Sequence, residues 1–321
     1  MLSLGIVFSV QADFEETLLF EQISLDNGLP GSNVRDIFQD SKGILWISVE
    51  ATGICRYIGN EFVLLKHNMT DPNSLSNNYA NMIREDSAGY IWIATVGALN
   101  RYNRETDVFD HFLHDPKNSH SISHNIINYL LIDKKGNLWI GTGNGLCKYV
   151  ADKGIFKRYF FIENLNIGEA ITIQCIYEHS NGYLYLGTNR GLVEFDPVLG
   201  SYRQWERSEN VTNAPIYNYI VSIIEDDSGL LWIGTHRGIN KFNAKTREFI
   251  VFNYKDSDIS DLQREGINTF YKDEKGRIWI GTYTKGIVIV NPENDEYVRI
   301  NSEKERNNGL LSDHIRVIFK D

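Results

Sequence analysis

The chain is short of the features that mark most functional classes. It has three cysteines and six prolines among 321 residues. Cys55, Cys147 and Cys175 are odd in number, far apart and without metal-ligand spacing, so they read as small buried hydrophobes, with no metal site. No apolar run reaches the roughly 20 residues that a membrane helix needs. Basic residues number 32 against 42 acidic ones, giving a net charge of −10 and a pI near 5.3. That balance argues against a nucleic-acid partner. No segment sustains a 3.6-residue apolar period, so helix is scarce. Nucleophile-elbow, zinc-protease, Walker and dinucleotide motifs are all missing, and the eight histidines are scattered. No residue is assigned a catalytic role and no cofactor is implied.

What is present is a repeat. Trp46, Trp92, Trp139, Tyr185, Trp232 and Trp279 each sit between two aliphatic residues, 46 or 47 positions apart. Six residues before each aromatic stands Asp40, Asp86, Asp133, Asp226 or Asp273, with His179 as the exception; three before it stands a glycine. Asp-x-x-Gly between apolar runs is a hairpin turn: the carboxylate accepts from backbone N–H groups two residues on, and glycine supplies positive φ. Gly-Thr follows the aromatic in four repeats, then a second glycine, then an alternating strand. Four short strands in a unit of this length define a blade. The fold expected is all-β, a β-propeller of four-stranded blades with six complete repeats plus parts of a seventh. The aromatics are then structural, packed between blades. The aspartates read as solvated turn residues.

Both ends bear on this reading. Leu18–Ile23 looks like an outermost strand, and the run from Gly309 aligns without gaps on Gly28 through Asp40, making Asp321 a seventh turn aspartate. The propeller is therefore expected over residues 13–321, truncated within the seventh blade. Residues 1–12 read as a secretory signal peptide with an incomplete basic region, which places the protein in the periplasm. Asn68-Met69-Thr70 and Asn210-Val211-Thr212 match the glycosylation pattern and carry little weight.

Function is expected where repeats differ, in the loops that crowd one mouth of the axis. Read in register, the tips supply Glu50, Asn144, Arg190, His236, Arg237, Tyr283 and Lys285. The blade-linking loops add Tyr217 and Arg264. Arg190, Arg237 and Lys285 fall at matching positions of adjacent repeats, an exception in an acidic protein. Such a cluster suits an anionic group on a sugar, since arginine offers bidentate geometry; solvated turn residues are the plainer alternative.

The repeat, best seen in Asp133-Lys134-Lys135-Gly136-Asn137-Leu138-Trp139-Ile140-Gly141-Thr142-Gly143-Asn144-Gly145-Leu146, resembles the two-component regulator propeller repeat. The resemblance covers about residues 18 to 321; His179, Tyr185 and Ala94 depart from it. It implies seven blades and the periplasmic sensor region of hybrid two-component histidine kinases of the Bacteroidetes type. In such proteins propellers precede a membrane helix, a kinase core and phosphorelay domains, and many sense oligosaccharides. The partners implied are an oligosaccharide, the protein's own downstream domains and a second copy, with membrane contact only through a downstream segment. The kinase core would lie outside this chain, which is then not itself an enzyme. An interaction scaffold without a small ligand, and a lyase resembling streptogramin-cleaving propellers, are the competing readings.

Overall fold

The computed structural model describes residues 4–6, 21–161, 170–208, 212–252, 260–294, 296–302 and 310–320. A short strand pair, β1 (Leu4–Ile6) with β2 (Glu21–Ile23), precedes six antiparallel sheets of four strands each. Every sheet is a meander in chain order. The first comprises β3 (Val34–Gln39), β4 (Leu45–Val49), β5 (Gly53–Ile58) and β6 (Glu61–Leu65). The inner strands of the following five are β7 (Ala80–Glu85), β11 (Ile127–Ile132), β15 (Ile173–Glu178), β19 (Ile220–Glu225) and β23 (Ile267–Lys272). Each packs against the next, so the sheets stand around an axis as the blades of a propeller. The remainder of the leader, the start of the Leu18 strand, Asn210, Val211, Gly309 and Asp321 lie outside the described residues.

The six repeat aromatics lie on the second strand of each blade, and all but Trp279 are fully buried. One buried indole withdraws roughly 200 Å² from water, on the order of 5 kcal/mol before the entropy of ordering it is subtracted. The turns form as the sequence dictates. Asp40 Oδ1 accepts from the Lys42 and Ile44 N–H groups at 2.9 Å, and Gly43 takes φ 80°. The other carboxylate oxygen corrects the solvated reading. Asp40, Asp133 and Asp226 are buried, because Oδ2 accepts the Trp46, Trp139 or Trp232 indole N–H at 2.8 Å. Asp86 and Asp273 bond Trp92 and Trp279 in the same way. One residue thus caps a turn and satisfies the buried donor of a core side chain.

Two more positions recur. The residue opposite the aromatic on the third strand is a cation over the indole: Arg56, Arg101, Lys148 or Lys241. The Gly-Thr glycine marks close approach of the next blade. A Cβ at Gly141, Gly187, Gly234 or Gly281 would stand 2.7 or 2.8 Å from Ile173, Ile220, Ile267 or Ile315. Blade 1 has Ser48 there, and Ala80 of blade 2 replaces the isoleucine, so the hydroxyl fits and donates to the Ala80 carbonyl at 2.5 Å. The three cysteines are buried and free, as read from the sequence. Burial pushes the Cys55 and Cys175 thiols up to about 12.

Inner strands have an open edge toward the axis, whose polar groups need partners. Every one of the six inner strands carries a bulge at its first residues, and in three of them the bulged residue is an asparagine that reaches the neighbouring blade. Asn81, Asn128 and Asn268 donate to the carbonyls of Ile127, Ile173 and Ile315 at 2.8, 3.0 and 2.9 Å. The residue after the bulge accepts from the same neighbour: Asp36 from the Ile83 N–H at 2.7 Å, Ser222 from Phe270 at 3.2 Å. Burial raises the Asp36 carboxyl in spite of Arg84 beside it at 2.9 Å. Between β23 and β3 runs the segment 310–320. Its Ile315 N–H donates to the Thr282 carbonyl, Val317 packs on the blade 1 core, and Arg316 lies 3.4 Å from Glu50.

Candidate functional site

The loops between second and third strands and those linking blades do share one end of the axis. Glu50, Val96, Gly143, Asn189, His236 and Tyr283 each donate a backbone N–H to the carbonyl of Asn33, Tyr79, Ile126, Thr172, Tyr219 or Gly266. The Gly-Thr threonine locks each tip from below. Thr142, Thr188, Thr235 and Thr282 donate to a carbonyl at the loop's far side, and their hydroxyls accept the N–H of Asn144, Arg190, Arg237 and Lys285 at 2.8–3.0 Å. The tips are therefore held in equivalent positions, and what differs is what their side chains meet.

The three cations meet different partners. Arg190 is paired through two nitrogens with Glu206, at 3.1 and 3.2 Å. Lys285 lies 3.8 Å from Asp261, which is held more tightly by Arg299 at 2.6 Å. Arg237 is exposed and stacks its guanidinium over the Tyr217 ring at 5.2 Å. The three matching cations are thus divided between two carboxylates and a phenol. Arg264 is exposed beside them, and Asn144 is half-buried on the third blade.

Aromatic pairs gather on the same side. The His236 ring stacks on Tyr219 with centroids 4.4 Å apart, and Tyr283, 56% exposed, lies 4.4 Å from His314. Burial holds both imidazoles below their ordinary range, and for His314 the Arg316 charge adds to it. Each is then a neutral aromatic face at neutral pH. Blades 5 and 6 and the segment after them thus present Tyr217, Tyr219, His236, Tyr283 and His314 around the Arg237 guanidinium. The opposite side of the mouth exposes Tyr79, Val96 and Ile126. Tyr219 and His314 were not singled out from the sequence; both fall in the same register column of the repeat as Asn33, and Tyr219 directly precedes an inner strand.

Glu50 occupies a separate place at the axis. Its carboxylate accepts from Asn33 and Arg35 and faces Arg316. Burial pushes the acid up, but the Arg35 bond and charge, with Arg316 and Asn33, outweigh it and hold Glu50 below the usual carboxylate range. Arg35 is the bulge residue of β3 and Arg316 holds the same register position of the repeat, so the sequence held the signal. Among the described residues, no group of His, Cys, Asp and Glu is placed to hold a metal ion. No described helix is long and apolar enough to cross a membrane.

The fold defines a class: a repeat protein of six four-stranded blades in a propeller. Residues 28–51, 74–97, 121–144, 215–237 and 261–284 each match the two component regulator propeller repeat, so the chain carries five copies of that family's repeat. The segment around His179 and Tyr185 falls outside these matches, as its departures from the motif lead one to expect. Among solved structures, the extracellular domain of a hybrid two-component system from B. thetaiotaomicron is similar, with 26% identity and a TM-score of 0.78 over 94% of this chain. This chain covers 39% of that one, so it spans well under half of the relative's length. PorZ, a surface component of the type-IX secretion system of Porphyromonas gingivalis, aligns at 17% identity and TM-score 0.69, over 93% of this chain and 45% of its own. Virginiamycin B lyase of Staphylococcus aureus aligns at 15% identity and TM-score 0.59, over 83% of each chain. These two show a shared fold alone. No curated protein matches the sequence significantly.

Proposed function

We propose that this chain is the extracytoplasmic ligand-sensing propeller of a signal-transducing hybrid two-component protein, without catalytic activity of its own. The observation that carries the reading is the similarity over 94% of the chain to an extracellular domain of such a system, joined to five matched repeats. The kinase core and phosphorelay belong to other parts of the polypeptide, which is anchored in the inner membrane by a segment outside this chain. Those parts and a second copy of the protein are its partners. Ligand binding shifts how these units pack, by as much as the ligand's affinity differs between the two arrangements.

The same reading includes a seventh blade. Ile315 meets Gly281 as Ile267 meets Gly234, and takes the Asn268 bond as Ile173 takes that of Asn128. These contacts support an inner strand at the seventh position.

The ligand is a glycan fragment bound at the mouth over blades 5 and 6. Exposed Tyr283 and the His236–Tyr219 stack offer flat apolar faces of the kind that pack on sugar rings, and Arg237 offers a fork for a uronate or sulfate. Calorimetric titration with neutral and acidic oligosaccharides tests this. Saturable binding lost in both Arg237→Ala and Tyr283→Ala is expected. Binding by no oligosaccharide, or binding indifferent to both changes, rejects the site.

A further inference from the structure

The end of the propeller opposite the mouth carries a clamp between blades. A glutamate at the end of one inner strand caps the first hairpin turn of the preceding blade. Glu85 accepts from the Ser41 N–H at 2.6 Å and hydroxyl at 2.8 Å, and Glu225 accepts from the Ser180 N–H at 2.9 Å. Glu178 accepts from the Lys134 N–H at 2.8 Å. Between blades 1 and 2 the clamp is completed by Arg104. Its guanidinium lies 2.9 Å from both Asp40 and Glu85, and all three side chains are largely shielded from water.

Blades 3 and 4 repeat the arrangement with its centre missing. Asp133 and Glu178 stand where Asp40 and Glu85 stand, each 93 positions further along. At the same offset Arg104 becomes Pro197, and Ser41 becomes Lys134, which brings no hydroxyl. The result is a cleft of about 170 Å³ bounded by Asp133, Glu178, Trp139, Lys148 and Pro197. Asn137 lends an amide donor to Asp133 at 2.8 Å, but no described residue donates to Glu178 Oε1. Lys135 and Lys148 at the rim do not argue against a cation, because Lys42 and Arg56 hold the same positions around Arg104. Beside the cleft, Val198 and Leu199 are 77% and 79% exposed on a turn that Asp196 fixes through both their N–H groups.

We propose that this cleft binds the guanidinium of an arginine from a partner polypeptide, with an apolar residue next to that arginine resting on Val198 and Leu199. The partner would supply from outside the group that Arg104 supplies from within. A guanidinium matches two carboxylates in one plane better than an ammonium does, and the fixed apolar pair gives a peptide a second contact that a free small cation cannot use.

The test is titration of the intact chain with the dipeptide Nα-acetyl-Leu-Arg-amide and its neutral citrulline counterpart. Weak saturable binding of the arginine peptide is expected, about tenfold tighter than the citrulline peptide. It should disappear in Pro197→Arg, which fills the cleft, and weaken in Glu178→Gln, which leaves the fold's core untouched. Arg104→Ala should open a second site between blades 1 and 2, with its loss of thermal stability partly restored by the peptide. Equal binding of the citrulline peptide, or binding that survives both Pro197→Arg and Glu178→Gln, overturns the guanidinium site. Nα-acetyl-Arg-amide binding as tightly as the dipeptide, with Val198→Ser and Leu199→Ser silent, overturns the polypeptide partner.

Discussion

In five blades an indole N–H ends on the turn aspartate; in the fourth a phenol stands in its place and the surroundings have changed with it. Tyr185 donates its hydroxyl to Glu194 at 2.8 Å, and Glu194 holds the position where four other blades keep a cation over the ring. Arg247 from the fifth blade then neutralises Glu194 at 3.0 Å. His179 replaces the aspartate, accepting the Asn181 N–H at 3.0 Å and lying 3.4 Å from Glu225. A phenol reaches a different point from an indole and can donate in a different direction, so one exchange at the ring entails three around it. The comparison shows that the repeat preserves a satisfied buried donor and a filled inter-blade space; the residues that achieve it are replaceable as a set.

The largest effect should come from emptying one of these spaces. Trp139→Ala removes a fully buried indole and leaves Asp133 without its core donor, and should cost about 3–5 kcal/mol in urea unfolding. Tyr185→Ala should cost less, since Glu194 keeps Arg247 as a partner. Equal losses would sink the distinction between the two blades.

The set-wise nature of the exchange is the next to test. Tyr185→Trp alone places an indole N–H beside His179 and takes the phenol donor from Glu194, and should cost about 1–3 kcal/mol. Combining it with His179→Asp should recover part of that loss, with a coupling of about 1 kcal/mol or more in a double-mutant cycle. Additive effects of the two changes would show that the residues act independently.

A smaller effect separates the fifth blade from its neighbours at the axis. Asn128→Ala leaves the Ile173 carbonyl without its donor and should cost about 1 kcal/mol. Val221 holds the same bulge position in blade 5 and can donate nothing to Ile267. Val221→Asn should therefore gain between zero and about 1 kcal/mol in thermal unfolding, the new bond being offset by asparagine's poorer fit in a strand. A loss comparable to that of Asn128→Ala would contradict a stabilising role for these amide bonds between inner strands.

Much of this was legible in the sequence, and what was not has a physical reason. Period, hairpin turns, strand number and the sharing of one mouth all follow from local rules that hold within a repeat. The second role of Asp40 depends on where a ring six residues away points after two strands have paired. The pairing of Arg190 with Glu206 depends on a loop outside the repeat motif. The aromatic pairs at the mouth join residues 17 and 31 positions apart, Tyr219 with His236 and Tyr283 with His314. Register could have brought Tyr219 and His314 into view, because both share the repeat position of Asn33, but only folding shows which tip each faces.

The junction of first and last segments offers the most delicate contrast, because its carboxylate is tuned opposite to Asp36. Glu50 ties Arg35 of blade 1 to Arg316 of the segment 310–320, and its folded-state pKa lies below the ordinary value of 4.5. The unfolded chain therefore binds the proton more readily, so the stabilisation is fully present above that value and is lost as pH falls through the lower, folded-state one. Asp36 runs the other way: burial raises its pKa and favours the protonated folded form, and that contribution fades as pH rises through the folded value. Unfolding free energies measured from pH 7 down to pH 3 should show Glu50→Gln less stable than the native chain at neutral pH, with the gap closing in acid. Asp36→Asn should show the opposite trend, its penalty smallest at neutral pH and growing toward acid. A Glu50→Gln gap that stays constant across the range would mean that Arg35 and Arg316 do not depend on the charge between them.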